Sequence, residues 1–148
     1  MKKLTVFQLS LLLMLLISQL SFAESKLVIQ PADIISIYDA DTFRVNIKDW
    51  PPLIGRSIPI RIMGFDAPEI RGRCDYERQA ALLARQLTVD LLAQAKVIEL
   101  RHLKRGKYFR LLSDVWVDDQ RLADTLISSG LARPYNGGQR QGWCHEFP

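Results

Sequence analysis

The chain has 148 residues, 48% apolar and 24% charged, with 20 Lys and Arg against 16 Asp and Glu. Those figures exclude a disordered or collagen-like chain, and the length leaves room for one ordinary domain but not two. The formal net charge is +4, and it falls to +2 once Lys2 and Lys3 are set aside with the leader they begin, so a purely electrostatic binder of polyanions is disfavoured.

The leader comes first. Lys2 and Lys3 precede a Leu-rich run over residues 9–17, and Ser21-Phe22-Ala23 closes it with a small-residue end. This is the pattern of a secretory signal peptide, with a mature start expected at Glu24 and residues 24–148 expected as a single domain. The apolar run is shorter than the roughly 20 residues a bilayer span needs. No Cys lies near the expected cleavage point, which excludes lipid attachment at a new N-terminus. The protein is expected to be exported, to a periplasm or out of the cell, with no membrane attachment after cleavage.

Residues 34–38 are rich in Ile and residues 42–47 alternate in polarity, and with the turn Asp39-Ala40-Asp41 between them they predict a β-hairpin. Trp50-Pro51-Pro52 breaks the pattern, residues 58–63 predict a third strand with Pro59 near its start, and residues 64–72 read as a loop. From Tyr76 the apolar positions Ala80, Leu83, Leu87 and Leu91 repeat at helical spacing, predicting a helix capped by Asp75 with Glu77, Arg78, Arg85 and Asp90 facing water. Residues 97–101 and 111–117 predict two more strands. A short helix carrying Leu122, Leu126 and Ile127 then ends at Gly130, the natural C′ residue. Three strands, a long helix, two strands and a short helix fit an α+β, mainly β, five-stranded OB-type Greek-key barrel.

Three clusters bear chemistry. Arg101, His102, Lys104, Arg105, Lys107 and Arg110 crowd the turn between the last two strands, as a solvated hairpin also would. Asp39-Ala40-Asp41-Thr42 occupies the first hairpin, where Asp is at home in a tight turn. Arg61 is followed by Asp66-Ala67-Pro68-Glu69, which has the spacing of a helix capping box. Together they gather carboxylates from separate segments, as a hard cation requires, with arginines suited to phosphate.

With Lys107-Tyr108-Phe109-Arg110 and the closing run over residues 122–132, ending in Gly130-Leu131-Ala132, these motifs resemble the staphylococcal-nuclease-like (thermonuclease) family over residues 33–135. The resemblance implies an OB-type barrel and Ca²⁺-dependent hydrolysis of DNA and RNA to products ending in 3′-phosphate. By position it implies Asp41 and Asp66 as Ca²⁺-binding carboxylates and Ala67 as a carbonyl donor. It further implies Arg61, Glu69 and Arg110 as the catalytic trio, and Lys107 and Tyr108 as contacts to a substrate's terminal phosphate and nucleotide. Ala40 and Phe109 stand where the family usually has Gly, and Tyr135 matches a base-stacking Tyr only across a one-residue gap. His102 and His145 receive no role.

The chemistry agrees with those roles. Water attacking a phosphodiester builds charge on the non-bridging oxygens, which two guanidiniums can hold through bidentate bonds, while Glu69 can orient or deprotonate the water. The alternative is an OB-type module that binds nucleic acid or protein without cleaving; a third reading is an exported domain that uses Ca²⁺ only for stability. No stable protein partner is inferred, and a monomer is the default. Finally, Cys74 and Cys144 are the only cysteines, and a chain sent to an oxidising compartment is expected to join them as a disulfide.

Overall fold

Alternating β-branched and aromatic positions build the first half of the sheet. In the computed structural model, which describes residues 26–144, these form Leu27–Ile29 (β1), Ile34–Asp39 (β2), Thr42–Val45 (β3) and Ile58–Ile62 (β4). A one-turn helix, Pro52–Gly55 (α1), fills the break before β4. Gly64–Asp66 (β5) follows, then the long helix Asp75–Gln94 (α2) and the strands Ile98–Arg105 (β6) and Leu111–Val117 (β7). Gln120–Arg121 (β8), the helix Leu122–Ser128 (α3) and Arg133–Tyr135 (β9) complete the described chain.

The five strands expected from periodicity are β2, β3, β4, β6 and β7. They lie in the order β2-β3-β4-β7-β6, with β4 and β7 parallel and the other neighbours antiparallel. The passage through α2 lets the chain return so that β7, and not β6, lies against β4. That crossing makes the sheet Greek-key in character and gives the curled OB-like α+β fold. Beyond those five, β1 extends the β6 edge, β8 adds to β7, and β5 pairs with β9 in a separate ribbon. Each of these extra strands has two or three residues, too few for period-2 alternation to register. Residues 64–72 are therefore not all loop, since the first three form β5.

Phe43, Val45, Ile60, Ile62, Ile98, Leu100 and Val115 fill the sheet's concave face, closed over by Leu92 of α2 and Leu122 and Leu126 of α3. The packing face of α2 corrects the predicted stripe. Ala81, Ala84, Thr88 and Leu92 are buried, Leu87 and Leu91 are partly buried, and Tyr76 and Leu83 face solvent. Small side chains bring the helix close enough for Thr88 Oγ1 to donate to the Ala40 carbonyl at 3.1 Å, a contact large residues would prevent. The N-cap is Cys74 and not Asp75, whose carboxylate pairs with Arg78 inside the first turn. Glu77, expected to face water, is buried for a reason given below.

The C-terminus of α3 matches expectation. Gly130 has φ +71°, its N–H donates to the Ile127 carbonyl, and the Leu131 N–H donates to the Leu126 carbonyl, the paired bonds of a Schellman motif. The leader and His145 lie outside the described residues. Among the described residues no helix is long and apolar enough to cross a membrane.

Candidate active site and metal centre

The β2–β3 turn buries two carboxylates, Asp39 and Asp41. Asp41 is fixed three ways. Its carbonyl accepts the Ile62 N–H at 2.8 Å, its Oδ1 accepts the Thr42 hydroxyl at 2.7 Å, and its Oδ2 lies 2.5 Å from Nη2 of Arg61. Arg61 is placed for this by strand register, since it stands opposite Thr42 across the β3–β4 ladder. Ala40 is fully buried and belongs to the core, so an alanine fits this turn. Asp39 received no role from sequence. Its Oδ1 has no hydrogen-bond partner among the described residues, and burial, then the neighbouring Asp41 carboxylate, push its carboxyl up to about 7.

Asp66 and Ala67, both buried, end β5 and begin the loop to α2. No helix starts there, so the Asp66 to Glu69 spacing is not a capping box in this fold. β5 itself needs Gly64, which has φ +95° and lies so close to the Arg121 guanidinium that a Cβ would sit 2.3 Å from it. The loop beyond Glu69 is tied down by Glu77, whose carboxylate accepts the Arg73 N–H at 2.8 Å and the Glu69 N–H at 3.4 Å. A loop folded back on a helix N-terminus leaves amide donors that need an acceptor. Glu77 supplies it, which accounts for its burial.

The tail closes the same region. Cys74 and Cys144 form the expected disulfide, with Cα atoms 5.9 Å apart. Trp143 is buried, donates Nε1–H to Asp66 Oδ2 at 3.2 Å, and lies under the Arg133 guanidinium, 3.8 Å from its ring centre. Arg140 reaches both acidic residues, with Nε 3.0 Å from Asp66 Oδ1 and Nη1 donating to Glu69 Oε1 at 2.6 Å. Asp66, Glu69, Glu77, Arg140, Trp143 and Cys144 line one open cleft of about 400 Å³. Arg140 and Trp143 carry no sequence motif; only their closeness to Cys144, once that cysteine is paired, points to the site.

The basic turn does not act as one patch. Arg101 pairs with Glu99 and covers the Trp116 ring, His102 meets Asp114 at 3.0 Å, and Arg105 covers Phe109. Arg110 immediately precedes β7, two residues before Leu112, the register partner of Arg61. Its Nε is buried with no hydrogen-bond partner among the described residues. Tyr108 and Phe109 both have φ +57° and are exposed. They line a different cleft with Arg44, Trp50 and Leu53, apart from the cleft around Asp66 and Glu69. Arg61 instead lines a cleft of about 480 Å³ with Lys104, Arg121 and Tyr135. There Asp114 holds Arg121 in place and raises its already high pKa.

The acidic cluster offers the type of donor that a hard cation takes. Every side-chain donor there is an oxygen, Asp39 Oδ1 is buried without a hydrogen-bond partner among the described residues, and Arg140 already sits against Asp66 Oδ1 and Glu69 Oε1. Asp41, Asp66 and the Ala67 carbonyl could hold such an ion, as the sequence resemblance implies. Among the described residues the one tightly convergent trio of metal-type side chains is Cys74, Glu77 and Cys144, and their sulfurs are spent in the disulfide.

The chain is thus an OB-like α+β domain that sets Arg61 and Arg140 beside buried carboxylates. The family model of staphylococcal nuclease homologues matches residues 59–144, more than half of the chain, and the chain belongs to that family. The match includes Arg61, Asp66, Glu69, Arg110 and both cysteines, and begins after the hairpin that carries Asp39 and Asp41. No curated protein matches the chain significantly.

Proposed function

We propose that this member of a nuclease-type family is an exported Ca²⁺-dependent nuclease that hydrolyses DNA and RNA to products with 3′-phosphates. The observation that most supports the reading is the Arg61–Asp41 ion pair, in which a guanidinium of the kind that suits phosphate meets a carboxylate of the kind that suits a hard cation. Asp41, Asp66 and the Ala67 carbonyl would hold Ca²⁺, and the ion supplies charge that polarises a phosphoryl oxygen. Arg61 and Arg110 present planar donor forks to the non-bridging oxygens as negative charge grows on them. Glu69, with its side chain 46% exposed, has access to water and orients it or takes its proton. Nothing in this set reads a base edge, which supports broad sequence tolerance. Export rests on the leader's composition and on the disulfide.

Purified protein incubated with plasmid, single-stranded DNA and RNA, with Ca²⁺ or with chelator, tests the reading. Cleavage in Ca²⁺ alone, leaving 3′-phosphate ends, is expected. No cleavage with any divalent ion would leave the binding-module alternative, in which Glu69 has no use.

A further inference from the structure

The acidic cluster already has a cation, and it comes from the tail. Arg140 bridges Asp66 and Glu69, its Nε 3.0 Å from Asp66 Oδ1 and its Nη1 donating to Glu69 Oε1 at 2.6 Å. The bridge is built rather than incidental. Cys144 is bonded to Cys74, Trp143 is buried on Asp66, and Arg133 donates to the Gly142 carbonyl at 3.0 Å while stacking on Trp143. On the other side, the Tyr135 hydroxyl donates to the Gly138 carbonyl at 2.8 Å. The segment from Gly138 to Cys144 is thus pinned at both ends with Arg140 between the pins.

We propose that Arg140 is a tethered counter-cation whose place overlaps that of the divalent ion, so that it stabilises the metal-free site and sets how tightly the metal is held. Neighbouring carboxylates repel one another, and a guanidinium spanning buried Asp66 and half-exposed Glu69 relieves that repulsion without any ion from solution. The same charge opposes an incoming divalent cation, which must displace it from Asp66 or bind in its field. Metal affinity is then a difference between two cations competing for one set of oxygens. Because the tail is anchored on both sides, the displaced guanidinium stays beside the site.

This inference rests on the reading of Asp66 as a metal ligand, and the experiment separates the two. Ca²⁺ affinity is measured by titration calorimetry on the full mature chain, and melting temperature is measured in chelator and in saturating Ca²⁺. Arg140→Gln should bind Ca²⁺ roughly tenfold more tightly, because a positive charge beside the ligands is gone. It should also melt lower than wild type in chelator and recover in Ca²⁺. Arg140→Lys, which keeps the charge, should stay within about twofold of wild type in affinity. A tail residue with only a packing role would lower both melting temperatures alike and leave affinity unchanged. Unchanged or weaker Ca²⁺ binding in Arg140→Gln, with Asp66→Asn weakened, overturns this inference and leaves the metal reading intact. Unaltered binding in Asp66→Asn removes the metal reading and the inference with it. Tighter binding in Arg140→Gln with no nuclease activity would uphold the inference and fail the proposed function.

Discussion

Oδ2 of Asp41 lies 2.5 Å from Nη2 of Arg61, joining the first hairpin turn to β4 by an ion pair inside the site. The pair follows from the ladder, because Thr42, next to Asp41, is the register partner of Arg61. A one-residue slip of that register would turn Arg61 to the opposite face of the sheet. Sheet pairing, more than any loop, therefore holds the candidate catalytic arginine against the candidate metal ligand.

The metal assignment predicts that Asp41→Asn and Asp66→Asn each weaken Ca²⁺ binding. Each change removes a full negative charge from a site that depends on ligand charge, while nearly preserving shape. Titration calorimetry on both variants checks this. Affinity equal to wild type in both would place the ion elsewhere.

The catalytic assignment predicts that Glu69→Gln and Arg110→Lys each lower turnover by a factor of about 10² or more with the fold retained. Glutamine cannot take a proton from water, and lysine cannot reproduce a planar two-donor fork. Steady-state rates, with circular dichroism as the fold control, decide the matter. A near wild-type rate in either variant would refute that residue's role.

Asp39 gives the molecule a pH-dependent stability. Its carboxyl is raised to about 7, first by burial and then by Asp41. In metal-free native protein it keeps a proton that the unfolded chain gives up near pH 4. The stability linked to that proton is complete below about pH 4 and is lost as pH rises through about 7, at no more than about 1.4 kcal/mol per pH unit. Asp39→Asn, which mimics the protonated form, should gain stability over wild type progressively from pH 4 to 7 and level off above. Thermal melts across that range in chelator give the measurement; a difference that does not change with pH would contradict it.

Legibility of the sequence followed the size and regularity of each signal. The hairpin, β4, β6 and β7 carry long alternating runs, and Gly130 ends α3 by backbone conformation alone, so these could be read directly. The face of α2 could not be read from its leucines, because Ala81, Ala84 and Thr88 make the close contact and a large-residue stripe points one position away. Glu77 looked solvated because its partners are backbone amides, which have no sequence signature. The same holds for Arg140. The segment around Gly137 and Gly138 has no periodicity, and its course is set by a covalent bond and one buried tryptophan. The acidic half of the site was therefore visible in sequence, and the cation that meets it was not.

The Cys74–Cys144 disulfide should support both the fold and the site. It closes a loop across 70 residues, a constraint on the unfolded chain of about 4 kcal/mol in the chain-entropy view. Its local effect is as direct. Cys74 is the N-cap residue of α2, five positions after Glu69, and Cys144 follows Trp143, which donates to Asp66. Breaking the bond frees the tail that carries Arg140 and Trp143, and with it one wall of the cleft around Asp66 and Glu69. Reduction, or Cys144→Ser, should therefore lower the melting temperature by up to about 15 °C and reduce nuclease activity. The two readouts are separable, because saturating Ca²⁺ should restore part of the lost stability without re-anchoring the tail. Peptide mapping without reductant on protein exported by its native host tests the pairing itself. Free thiols at both positions would refute it, and a reduced protein that melts and cleaves as the oxidised one does would refute its role.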